Sequence, residues 1–190
     1  MKKVVRAGII ALSLAILAVG YFIYLSRMSQ RTSTDSADAK QTELQQVLDL
    51  DLVRNYPETP REVIKTFNRI TALFYDEELD ADQIEKLCDM MRLLMDQDLA
   101  AKNPREEYID SVRVQIKHYR ESNSRLVSSK VASTSEIEKK KVGADQMAYV
   151  EATYTIRQGN AISITHQKFA LRRDHDGNYR ILAFTLDGEQ

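Results

Sequence analysis

The sequence predicts an α+β protein in which an N-terminal transmembrane helix precedes three helices and an antiparallel sheet. Three observations carry this. Nineteen residues, Ala7 to Leu25, run without a charge. Further on, apolar residues recur at spacings of three and four behind Pro- and Asp-marked starts. After Asn123 the apolar period drops to two, that of a half-buried strand.

The uncharged run, AGIIALSLAILAVGYFIYL, spans about 28 Å as a helix, close to the thickness of a hydrocarbon core. Lys2, Lys3 and Arg6 precede it and Arg27 and Arg31 come after, so charge favours a cytoplasmic N-terminus (1–6), a membrane signal anchor (7–25) and a domain outside the cell membrane. Ala18 and Gly20 would suit cleavage after Gly20, but the apolar run continues through Tyr21, Phe22, Ile23, Tyr24 and Leu25, which favours an uncleaved anchor. Residues 26–55 form a polar tether, poor in large apolar groups at first, in which Leu44, Val47 and Leu48 predict a short helix.

Residues 56–187 make the folded domain. Thr59, Pro60 and Glu62 fit the cap, first and third positions of a helix whose stripe is Val63, Phe67, Ile70 and Phe74. Asp80 with Gln83 begins a second, with Ile84, Leu87, Cys88, Met91, Leu94 and Met95 on its face. Asn103, Pro104 and Glu106 repeat the first pattern before Tyr108, Ile109, Val112, Ile116 and Tyr119. The two Pro-Arg-Glu phrases are therefore helix starts, since VIKTFNRI after the first and EYIDSVRV after the second do not align as a repeat. In the strand region, Ala148, Val150, Ala152, Tyr154 and Ile156 share one face, and QGN at 158–160 and DHDGN at 174–178 mark hairpin turns. Strands are expected near 161–173 and 178–186, with an earlier pair in RLVSSKVAST and EIEKKK, as a meander.

Composition excludes several function classes. With 43% hydrophobic and 29% charged residues, the domain needs neither metal nor disulfide to hold a core, and Cys88 is alone. Residues 60–190 carry 20 bases and 22 acids, which offers no basic footprint for nucleic acid. No P-loop, dinucleotide fingerprint, nucleophile elbow or metal-ligand spacing is present, so no cofactor and no metal are expected.

Three helices followed by a long antiparallel sheet is an order that resembles the cone-shaped fold of nuclear transport factor 2, ketosteroid isomerase and scytalone dehydratase. The phrases NYPETPREVIKTFNRI and AAKNPREEY, with the hydrophobic N-terminus, are similar to an uncharacterised family of membrane-anchored proteins of clostridial bacteria. These resemblances imply a curved sheet around a pocket and carry over no catalytic residue.

An enzyme built on such a cone needs a carboxylate or His base facing a Tyr or protonated acid. The parts on offer are Tyr154 and His166, the latter in phase with Ile162 and Ile164, with Glu151 or Asp187 near them in sequence. A structural role is preferred for both Tyr154 and His166. His118, at a helix end, and His175, in a turn, are read as structural or solvated. The expected function is noncatalytic: an envelope protein whose outward domain binds a small apolar ligand or assembles with envelope partners or a second copy of itself. The alternatives are an isomerase or dehydratase, and a component resembling VirB8-type secretion or conjugation parts.

Overall fold

A computed structural model of the chain describes residues 43–76 and 78–187, with backbone alone at 186 and 187. Its contacts divide the chain into residues 1–45 and 46–190. Residues 43–48 form helix α1. After it come α2 (Pro60–Asp76), α3 (Ala81–Leu94), α4 (Gln97–Lys102) and α5 (Arg105–Glu121). Five strands then complete the chain: β1 (Ser124–Val131), β2 (Glu138–Val142), β3 (Asp145–Gln158), β4 (Ala161–Arg173) and β5 (Tyr179–Asp187).

Two expectations are corrected at the outset. The transmembrane helix expected over 7–25 lies outside the described residues, and among those described no helix is long and apolar enough to cross a membrane. The fold is accordingly an α+β arrangement of helices on a five-stranded antiparallel sheet, and the single-pass location with the domain outside has no support in it.

The helix starts show how local chemistry sets each element. Thr59 Oγ1 accepts from the Glu62 N–H at 3.2 Å, which partners one of the orphan donors of α2. At α3 the cap is reciprocal: Asp80 Oδ1 accepts from the Gln83 N–H at 2.8 Å and Gln83 Oε1 from the Asp80 N–H at 2.9 Å. Asn103, expected to cap the third helix, does not. It closes the C-terminus of α4, donating from Nδ2 to the Leu99 carbonyl at 2.9 Å, and Pro104 takes the cap position of α5 without a side-chain bond. The reason is α4, an element the apolar spacing did not show. Its N-cap Asp96 accepts from the Asp98 N–H, so α4 begins shortly after α3 ends and occupies the approach to α5.

The sheet is also not a plain meander. Its order is β1-β3-β4-β5, with β2 paired to the same edge of β3 as β1. β3 is long enough for both: β1 pairs with its C-terminal part, from Val131 opposite Ala152 to Ser124 opposite Gln158, and β2 with its N-terminal part, from Tyr149 to Asp145. Gly159, at φ 56°, sits in the two-residue turn joining β3 to β4, a left-handed conformation that costs glycine little. Asn123, at φ 48°, ends α5 in the same conformation and turns the chain into β1.

The core lies between the helices and one face of the sheet. Ala148, Val150, Ala152 and Tyr154 of β3, Phe169 and Leu171 of β4 and Ile181 of β5 are buried against Val63, Ile64 and Ile70 of α2 and Leu87, Cys88 and Leu94 of α3. Phe67 meets Phe169 edge to face at 5.4 Å between ring centroids. Asp96, 4% exposed, is the buried charge of this region, and the Arg172 guanidinium answers it from β4, with Nε at 3.0 Å from Oδ2.

Candidate functional site

The register of β4 decides which side chains face the helices. Phe169 and Leu171 point inward, so with a period of two Thr165 and Gln167 do the same, and Ile162, Ile164, His166 and Lys168 point away. The phase of Ile162 and Ile164 predicts an inward His166, but those isoleucines are themselves 62% and 63% exposed. The ring of His166 instead meets Thr153 across the strands, Oγ1 to Nδ1 at 3.1 Å, on the outer face. Glu151 lies on that face too, paired with Lys168 at 3.3 Å. Asp187 is opposite His166 in the β4–β5 ladder, and its side chain is outside the described residues. Of the four candidates, Tyr154 alone is seen to face the interior. The sheet does not bring Tyr154, His166 and Glu151 together.

Between α2, α3, α5 and the inner face of the sheet lies a cavity of about 530 Å³. Its walls are apolar and aromatic: Phe67, Phe74 and Tyr75 come from α2, Met91 from α3, Ile156 from β3 and Phe184 from β5. Tyr108 and Tyr119 add the α5 side. Part of each helical stripe, Val112 and Ile116 of α5 among it, both lines the cavity and belongs to the core.

Tyr154 contributes a buried hydroxyl. It donates to Asn68 Oδ1 on α2 at 2.7 Å, and Asn68 is 3% exposed with an Nδ2 that has no partner. Tyr154 lines the cavity, and Asn68, on the same side of α2 as Thr71 and Tyr75, anchors its hydroxyl without itself lining the cavity. Sequence reasoning missed Asn68 altogether. A polar residue amid the apolar stripe of α2 was the signal available, since an Asn at such a position needs a buried partner.

Tyr75 and Tyr119 stack across α2 and α5, with centroids 3.9 Å apart and planes 11° from parallel. Burial pushes the Tyr75 phenol well above its ordinary range, and its hydrogen bond with Tyr119 adds to this. Burial likewise raises Tyr108 and Tyr154, the bond to Asn68 only partly opposing it at Tyr154. The Cys88 thiol is raised to about 12, by burial first and the Asp89 charge second, and it does not line the cavity. Among the described lining residues there is no Asp, Glu, His, Lys or Arg. Nor does any cluster of His, Cys, Asp and Glu among the described residues have metal-holding geometry.

The sequence matches a domain family described as of unknown function, DUF6715, over residues 1–184. The chain belongs to this family. No curated protein matches it. Among solved structures, this DUF6715 chain is similar to the helical cell shape determining protein Pgp2 of Campylobacter jejuni. The TM-score is 0.35 and the identity 11%, over 67% of this chain and 41% of the other. A likeness of that size leaves the DUF6715 cavity to be argued from its own residues.

Proposed function

We propose that the domain is a noncatalytic binding module, related in form to the cone-shaped nuclear transport factor 2-like proteins, that holds a small, largely apolar ligand between its helices and sheet. The observation that carries this reading is the lining of the cavity. Its volume, about 530 Å³, falls in the range of small-molecule sites, and its walls are aromatic and aliphatic with a few polar groups at fixed points.

An isomerase or dehydratase is the weaker reading. Proton transfer near neutral pH needs a group whose pKa lies near the working pH. The titratable side chains lining the cavity are tyrosines, and those at positions 75, 108 and 154 are raised by burial, which makes them poorer acids and leaves almost no phenolate to act as a base at neutral pH. His166 and Glu151 are on the other face of the sheet.

Calorimetry of the full chain with naphthalene derivatives tests the reading. Binding is expected, and Thr165→Phe, which projects a ring into the cavity, should abolish it with the fold retained. An absence of binding in the folded protein, or binding indifferent to Thr165→Phe, would overturn the proposal.

A further inference from the structure

The inner face of the sheet borders the cavity, and the outer face carries a second feature at the end nearest the β3–β4 turn. Leu126 and Ile156 point inward, where both line the cavity, so Arg125 and Arg157 beside them point outward. The register sets these two arginines directly opposite each other on β1 and β3, and Ile162 of β4 completes the row. Like charges so placed repel. No carboxylate among the described residues pairs with either guanidinium, whereas further along the same face Lys168 is matched by Glu151 at 3.3 Å. One row away Ile164 lies opposite Thr155, and Ile162 and Ile164 are 62% and 63% exposed. Two unanswered cations and two open branched apolar side chains therefore share one patch.

We propose that this patch docks an acidic segment of a protein partner, in which carboxylates alternate with apolar side chains. The carboxylates pair with Arg125 and Arg157, whose planar guanidinium groups suit bidentate binding, and so relieve the repulsion between them. The apolar side chains cover Ile162 and Ile164 and remove their surface from water. A second copy placed two-fold on the same patch would set arginines against arginines. A bilayer of anionic lipid suits the face less, because the Glu151 side chain, 66% exposed, would be carried to the headgroups with it. A nucleic acid would answer the arginines and leave the isoleucines without an apolar counterpart.

The test is fluorescence anisotropy on the full chain with three labelled synthetic peptides, in which glutamate alternates with valine, lysine with valine, and glutamate with serine. The glutamate–valine peptide is expected to bind, and less tightly as salt rises. The lysine–valine peptide should not bind, and the glutamate–serine peptide should bind about tenfold more weakly. Arg125→Gln together with Arg157→Gln should weaken the glutamate–valine peptide about tenfold, and Ile162→Ser together with Ile164→Ser by a similar factor. Because the first pair of substitutions removes a like-charge contact, its melting temperature should be unchanged or higher, which separates lost binding from lost fold. No binding of the glutamate–valine peptide, or binding that the arginine substitutions leave unchanged, overturns the proposal. So does arginine-dependent binding to vesicles of phosphatidylglycerol and phosphatidylcholine without any binding of the peptide, which would assign the patch to a membrane surface. None of these results bears on the cavity, which lies on the other face of the sheet.

Discussion

The Tyr154 hydroxyl on β3 donates to Asn68 Oδ1 on α2 at 2.7 Å, a buried bond between residues 86 positions apart. It ties the central strand to the first helix of the layer above it. Because the Asn68 amide nitrogen is already unpartnered, the pair is costly to break from one side. Asn68→Leu or Tyr154→Phe alone should each destabilise the domain by about 1–3 kcal/mol. The double variant should lose less than the sum, with a coupling of about 1 kcal/mol in urea unfolding. Additive losses would mean that the two side chains do not depend on each other.

Arg172 has a larger expected effect. It holds Asp96, 4% exposed, and also reaches Asp98 at 2.7 Å, so it fastens the N-terminus of α4 to β4. Arg172→Met leaves the Asp96 carboxylate buried with only the N–H groups at the start of α4 to answer it, and should cost about 3 kcal/mol. Asp96→Asn in the same background should recover part of the loss, because the uncompensated charge is gone and the cap remains. No recovery would place the cost in the packing of the arginine stem instead.

Asp174 makes stability depend on acid. Burial by itself would raise this carboxyl, but the Arg180 guanidinium at 2.6 Å and the backbone N–H of Asn178 at 2.8 Å outweigh it, and the pKa is lowered. A carboxyl lowered in the folded state stabilises it above the unfolded value, near 3.9, and the contribution fades as pH falls through the folded value. Asp174→Asn should therefore be less stable than the parent at pH 7, with the gap closing below about pH 4. A gap that is unchanged across that range would remove the charge from the explanation.

Cys88 should be chemically silent in the folded protein. It is fully buried and its thiol is raised to about 12, so almost no thiolate is present at pH 8. A disulfide reagent should label it only as the domain unfolds, at a rate that rises with urea. Rapid labelling without denaturant would contradict the packing of α3.

For His166 the expected result is a small one. On the outer face, with Thr153 as its hydrogen-bond partner, His166→Ala should change stability by no more than about 0.5 kcal/mol and leave the binding of naphthalene probes unaltered. A loss of binding with the fold intact would put this residue back in the site.

Local chemistry was legible wherever neighbours along the chain decide the outcome. The capping atoms of Thr59 and Asp80, the turn at Gly159 and the inner face of β3 depend on residues within a few positions. Pattern failed where the partner is remote. Ile162 and Ile164 suggested one face for β4, and the register with β3, fixed by burial of Phe169 and Leu171, placed them and His166 on the other. Asn103 has the chemistry of a cap at either end of a helix, and only the presence of α4 assigned it to the end.

By itself, then, the sequence determined that this chain has capped amphipathic helices followed by a long strand whose even positions are apolar, because period and capping are properties of adjacent residues. Only the tertiary structure decided which polar groups meet. The Tyr154–Asn68 bond, the Tyr75–Tyr119 stack and a cavity without an acid or base among its described lining residues all arise from the way α2 and α5 lie over the sheet. That placement is set by burial summed over the whole core, a quantity no local window contains.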